Sequence, residues 1–158
     1  MMDLPLEDGL EVLLHLAPGH LHPDAERERR ARLYLVDLPG YGYARCSKSE
    51  RDKWAKLIAR YLQNNSWLIG VVALLDSRLP PQVMDMELIG YITSLGVDVI
   101  PVMTKADKCK QNARHTNQAA WQRLLHGEKP PLLVSSHSGM NIDKLWQLFV
   151  QRLPHPPA

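Results

Sequence analysis

Four short stretches of the chain are apolar at consecutive positions, broken only by Asp98: Leu33 to Val36, Leu68 to Leu75, Val97 to Met103 and Leu132 to Val134. A strand covered on both faces has this pattern, because neither face can afford alternating polar side chains. Each run is therefore predicted to be a buried parallel strand, and each gives way to polar residues. Between the runs, apolar residues recur at helical spacing. They are Trp54, Leu57, Ile58, Tyr61 and Leu62; Met84, Leu88, Ile92 and Leu95; Trp121, Leu124 and Leu125; and Ile142, Leu145, Trp146, Phe149 and Leu153. Such stripes predict helices that bury one side, with Trp54, Trp121 and Trp146 in the core. Alternating strands and helices with short connections predict an α/β fold: a mostly parallel sheet with right-handed crossovers laying helices on both faces, three layers in all.

The ends of the chain depart from this rhythm. Leu10 to Leu16 has the composition of a strand, whereas His20 to Arg30 carries Pro23 among dense charges and reads as a loop. Pro154, Pro156 and Pro157 stop the last helix. The expected organisation is a separate N-terminal segment over 1–30, one domain over 31–153 and a tail over 154–158.

Composition narrows the class. A chain of 158 residues, 45% apolar and 23% charged, suits one domain that buries roughly 70% of its unfolded-chain surface, not a disordered or fibrous protein. No apolar run approaches the ~20 residues that span a bilayer, and the acidic start (Asp3, Glu7, Asp8, Glu11) is unlike a secretory signal, so a cytoplasmic protein without a membrane partner is expected. Cys46 and Cys109 are isolated and are expected to be reduced and idle. Net charge is only +2, yet it is banded: acidic residues dominate 1–44 and 69–103, basic ones 45–68 and 104–129. The basic bands are either solvated helix faces or the footprint of a polyanion.

In open α/β sheets ligands bind beyond the carboxyl ends of the strands. Those ends read Asp37-Leu38-Pro39-Gly40, Asp76-Ser77-Arg78, Thr104-Lys105-Ala106-Asp107 and Val134-Ser135-Ser136. Asp-x-x-Gly suits a γ-phosphate, for Asp37 can hold Mg²⁺ through water and Gly40 can let a backbone N–H approach a phosphate oxygen, although a strand, tight turn and helix cap have the same pattern. In Thr-Lys-x-Asp the fixed carboxylate of Asp107 accepts two hydrogen bonds from the N1–H and N2–H₂ edge of guanine, while the Lys105 methylenes cover the ring. Backbone N–H groups around Ser135 and Ser136 can meet guanine O6, although a Ser/Gly turn capping the next helix has the same composition. Asp76 and Arg78 are expected to tie the sheet edge to a neighbouring loop.

Taken together, Asp37-Leu38-Pro39-Gly40-Tyr41-Gly42-Tyr43-Ala44, Leu75-Asp76-Ser77-Arg78, Thr104-Lys105-Ala106-Asp107-Lys108 and Ser135-Ser136 resemble the EngB family of bacterial ribosome-assembly GTPases. The resemblance covers roughly 31–153 and implies a Ras-like P-loop GTPase fold. It also implies GTP or GDP with Mg²⁺ as ligands, with Asp37, Leu38, Pro39 and Gly40 at the metal and γ-phosphate. Thr104, Lys105, Ala106 and Asp107 would then lie at the base, Val134, Ser135 and Ser136 would close over it, and residues 40–50 would form the second switch. By the same resemblance the partner is the large ribosomal subunit or its rRNA, and the family is linked to cell division and septation.

One expected part is missing. No Gly-Lys-Ser or Gly-Lys-Thr occurs in the 158 residues, so the backbone cradle and lysine that hold β- and γ-phosphates are absent. The stretch Gly42 to Ser49 imitates such a loop, but Ser47 stands for the second glycine and Tyr43 and Arg45 crowd it. The strand that should precede the loop is the central one of the sheet. Either Glu11 to Leu16 takes its slot, or this run pairs with 32–36 as an antiparallel edge and the sheet is divided. A shortened or frame-shifted gene is a third expectation. Two functions are compatible with these features: a guanine-nucleotide-binding switch, or a hydrolysis-deficient remnant that binds RNA or ribosomes. The chain as it stands is expected to be inactive as a GTPase.

Overall fold

The computed structural model describes residues 13–18, 33–37, 56, 58–65 and 68–153. Five strands, β1 (Leu13–Pro18), β2 (Leu33–Asp37), β3 (Gly70–Asp76), β4 (Val99–Thr104) and β5 (Leu132–Leu133), form one sheet in the order β2-β1-β3-β4-β5. Three helices, α1 (Val83–Ser94), α2 (Gln111–Leu124) and α3 (Ile142–Val150), connect or follow them, and 58–63 are also helical. The segments 38–55 and 154–158, with the second switch and the tail, lie outside the described residues.

The consecutive apolar runs are explained by two cores. Along β3, Val71, Ala73 and Leu75 face Ile58, Leu62, Leu88, Ile89, Ile92 and Trp121, whereas Val72 lies in a second cluster with Ile100, Val102, Val134 and Phe149. Successive side chains leave a strand on opposite faces, so both must be apolar when helices cover both. Among the described residues Trp121 is the largest fully buried side chain, as its stripe predicts. Trp146 departs from expectation: it is half exposed, and its ring meets Phe149 edge-on at 5.9 Å and 84°. The stripe of α3 is wider than the cluster it covers, so Phe149 takes the core position and Trp146 its rim. Trp54 lies outside the described residues.

The central slot is filled, and the sheet is not divided. β1 pairs antiparallel with both neighbours, Leu14 opposite Asp37 on one side and opposite Val72 on the other. The first alternative for the N-terminal run is thus realised, with the strand at 13–18; of the second only the antiparallel pairing with β2 holds, since β1 is not an edge. β2, β3, β4 and β5 run one way and β1 alone runs against them.

Helix α1 has an inverted pattern at its start: Asp85 is buried while Val83, Met84 and Met86 are exposed. Burial first, and then the Asp76 carboxylate, push the Asp85 carboxyl up to about 6 from 3.8. A raised carboxyl favours the fold fully below its unfolded value and loses that contribution as pH rises through about 6. At about 1.4 kcal/mol per pKa unit the loss is on the order of 3 kcal/mol. Asp85→Asn should therefore match the parent near pH 4 and exceed it by roughly 1–3 kcal/mol at pH 8. Urea unfolding at the two pH values checks this, and equal stabilities at pH 8 would contradict it.

Candidate functional site

The site is assembled where β3 and β4 end side by side, with Asp76 in register with Thr104. Thr104 Oγ1 donates to the Leu75 carbonyl at 3.2 Å and the Ser77 N–H to the Thr104 carbonyl at 3.0 Å, which laces the two strand ends. The chain then turns sharply: Lys105 is left-handed (φ 56°), and Ala106–Lys108 form one 3₁₀ turn. A residue with a β-carbon adopts that conformation only where its surroundings enforce it. Here the next residue supplies the constraint. Ala106 is fully buried, its N–H donates to the Val134 carbonyl at 3.1 Å, and its carbonyl accepts from Arg114 Nη1 at 3.1 Å.

That backbone bond brings the β5 turn against the β4 turn. Buried Ser135 pairs with Met140 across a tight reversal shaped by Gly139 (φ 73°) and Asn141 (φ 57°). Ser136 and His137 are exposed on it. Ser135 Oγ donates to Asp107 Oδ1 at 2.6 Å and accepts the Ser138 N–H at 3.1 Å. Chiefly through the Ser135 hydroxyl, with Lys108 Nζ 3.5 Å from the other oxygen, the Asp107 carboxyl is held below the usual carboxylate range. An ionised carboxylate offers about four lone-pair sites, so Asp107 keeps acceptor capacity for a ligand edge carrying two N–H groups.

Asp76 accepts from Arg78 Nε through both oxygens at 2.9 and 3.0 Å, from Arg78 Nη2 at 2.6 Å and from the Arg78 N–H at 2.9 Å. Lys105 Nζ donates to Asp76 Oδ2 at 3.1 Å. Burial raises the Asp76 carboxyl, but these donors outweigh it and the net shift is downward. The expectation that Asp76 and Arg78 tie a sheet edge to a loop is met only in part: β3 is the middle strand of the five, Arg78 closes on Asp76 within one turn, and it is Lys105 that links Asp76 to the neighbouring turn. Burial, and next the Asp76 charge, push the Cys109 thiol upward, so it stays protonated at neutral pH.

Thr104, Lys105, Ala106, Asp107, Val134 and Ser135 thus come together, with Ser136 at the edge. Asp37 closes β2, but through Leu14 it is level with Val72, four residues short of Asp76 along β3 and so about 13 Å back. Leu38, Pro39 and Gly40 lie outside the described residues, as does the Asp37 side chain. Among the described residues no group of three or more His, Cys, Asp or Glu side chains could hold a metal ion.

Sequence reasoning missed the residues that hold these turns from behind. Arg114 carries the Ala106 carbonyl, Asn117 Nδ2 donates to the Ser77 carbonyl at 3.0 Å, and Asn141 Nδ2 donates to the Leu133 carbonyl at 2.8 Å. Arg114 and Asn117 are three residues apart on α2, hence on one side of it, and that spacing was the available signal. Arg114 Nε and Ser77 Oγ are buried without a hydrogen-bond partner.

A mostly parallel three-layer sheet with turns of this kind beyond β4 and β5 defines the Ras-like class of the P-loop GTPase fold. Solved structures agree at the level of fold. A tyrosine-to-alanine variant of Aquifex aeolicus Era bound to GDP·AlF4⁻ superposes with TM-score 0.65 over 93% of this chain and 46% of its own, at 18% identity. Era in complex with MgGDPNP and nucleotides 1506–1542 of 16S ribosomal RNA superposes with TM-score 0.64 over 96% of this chain and 48% of its own, also at 18% identity. No protein-family model matches the chain. Curated proteins are nearer in sequence, each named "Probable GTP-binding protein EngB". That of Oleidesulfovibrio alaskensis is 56% identical over 123 residues, 78% of this chain and 56% of the relative. That of Desulfovibrio desulfuricans is 51% identical over 116 residues, 73% of this chain and 57% of the relative. The chain belongs to the EngB family, and it spans a little over half the length of these relatives.

Proposed function

We propose that the chain binds a guanine nucleotide by its base, with Asp107 reading the N1–H and N2–H₂ edge, Lys105 covering the ring and the Ser135-Ser136 turn closing over it. The observation that carries this is the 2.6 Å bond from Ser135 Oγ to Asp107 Oδ1. It joins two turns 28 residues apart, orients the carboxylate and keeps it ionised, which is the state an edge with two donors requires. The EngB names of the relatives support the same ligand. Titration with GDP and ADP under identical conditions tests it; equal affinities would sink the base assignment.

In this reading the chain belongs with a cytoplasmic GTPase of large-subunit ribosome assembly, linked to cell division and septation, whose Asp37 and Gly40 serve Mg²⁺ and the γ-phosphate. Leu38 and Pro39 complete that turn. The domain boundaries proposed at 30 and 153 rest on the same resemblance, although β1 (Leu13–Pro18), before the first of them, lies inside the domain's sheet. No described helix is long and apolar enough to cross a membrane.

A second reading, an RNA- or ribosome-binding module without hydrolysis, is favoured by the reversed central strand and by the basic band. Lys56 and Arg60 are exposed and four residues apart, so they share one helix side, while Arg45, Lys48, Arg51 and Lys53 lie outside the described residues. The neighbour Era was solved with a 16S rRNA segment. Neutralising three of these six residues should weaken rRNA binding and flatten the slope of log K against log salt by about one charge each. An unchanged slope would make the band a solvated face.

A further inference from the structure

The Asp76 carboxylate has a place in the site that base recognition alone does not assign. It lies one strand away from the Thr-Lys-x-Asp turn, 29 residues earlier in sequence, and the parallel register of β3 and β4 sets it beside Thr104. Its side chain is only 7% exposed, and Arg78 holds it independently of Lys105, through a guanidinium fork on both oxygens and a backbone N–H. It is therefore a fixed anchor. Lys105 is the opposite kind of group: a four-carbon stem with many rotamers, carried by a backbone residue in the left-handed region. The ammonium ends 3.1 Å from Asp76 Oδ2, and the lysine side chain is 20% exposed.

We propose that Asp76 is the positioning residue of the base site: by gripping the Lys105 ammonium it stretches the lysine stem along the strand ends, so that methylenes with their charge already neutralised are offered to a nucleobase. The inference rests on the guanine-nucleotide reading above and deepens it. Freezing the stem before the ligand arrives removes rotamer freedom that binding would otherwise have to overcome. The ammonium is also tied off from the ligand's phosphates. Asp76 touches no part of the ligand in this scheme and acts only through Lys105.

That route makes the effects of the two residues non-additive, which a merely structural role would not. Four proteins are compared: the parent, Asp76→Asn, Lys105→Met and the double variant. Lys105→Met keeps an apolar stem and removes the gripped ammonium. GDP affinity is expected to fall about 5- to 10-fold in each single variant and no further in the double variant. Without any nucleotide, acetylation of Lys105 by acetic anhydride, read by mass spectrometry, is expected to rise several-fold in Asp76→Asn. An equal loss from Asp76→Asn in the Lys105→Met background, or unchanged labelling of Lys105, overturns the proposal while leaving base recognition intact. A parent that does not distinguish GDP from ADP overturns the base site itself, and the proposal with it. Melting curves report folding. Should Asp76→Asn not fold, Asp76→Glu displaces the grip by one methylene while keeping both cations paired; a smaller loss coupled to Lys105 is expected, and an uncoupled loss overturns the proposal.

Discussion

Asp107→Asn is expected to turn the site from guanine toward xanthine nucleotides, taking GDP binding below what titration detects while xanthosine diphosphate gains. The carboxylate only accepts, and guanine presents two donors to it. An amide puts its NH₂ against one of those donors and leaves the other side underused, and mismatches inside an ordered site cost the desolvation of both partners. Xanthine carries a carbonyl where guanine has its amino group, so the amide meets an acceptor with a donor. Ser135 sharpens the expectation because its hydroxyl already occupies Oδ1 at 2.6 Å and fixes the carboxylate plane. The same bond sets the pH dependence. Asp107 is held below 3.8, so its ionised form is favoured in the fold and GDP binding should persist as pH falls to that value, fading only beneath it. Isothermal titration of both proteins with GDP and xanthosine diphosphate, repeated at pH 4.5 and 7, checks both statements. Indifference to the substitution would remove Asp107 from the base site.

The 158-residue chain is expected to hydrolyse GTP no faster than a buffer control and to bind GDP no tighter than high micromolar. Phosphoryl transfer depends on positioning and on neutralising charge over the phosphates, and a backbone cradle with its lysine performs most of both. No Gly-Lys-Ser or Gly-Lys-Thr is present to build that cradle. The sheet adds a geometric reason. A phosphate loop has to leave the carboxyl end of a strand at the rim where Asp76 and Thr104 lie. In the central slot β1 runs the other way, so its carboxyl end at Pro18 pairs with Leu33, at the start of β2 and the far edge of the sheet. The chain therefore leaves β1 on the side opposite that rim. Phosphate release and calorimetry decide the matter: Mg²⁺-dependent turnover above that of an Asp37→Ala control would overturn it, by revealing a phosphate site built from other residues.

Much of this molecule was legible in the chain because its signals are local. Consecutive apolar positions mark β3, β4 and β5 as covered on both faces whatever their neighbours are, and helical stripes mark α1 and α3 for the same reason. The turn motifs at the strand ends are equally local, since Thr104 to Asp107 and Val134 to Ser136 are contiguous and their place is set once the strands are known. Four things were decided only in three dimensions. The direction of β1 has no sequence signature, because a strand's apolar pattern reads the same forwards and backwards and either direction can pair the backbone groups of β2 and β3. The burial of Asp85 beside exposed Met84 and Met86 depends on how α1 lies on the sheet, which the stripe of Met84, Leu88, Ile92 and Leu95 does not fix at its first turn. Trp146 sits at a rim because Phe149 reaches the core first. The grip of Asp76 on Lys105 spans 29 residues and two strands, and it exists because parallel pairing places Asp76 opposite Thr104, a long-range register that neither motif contains by itself.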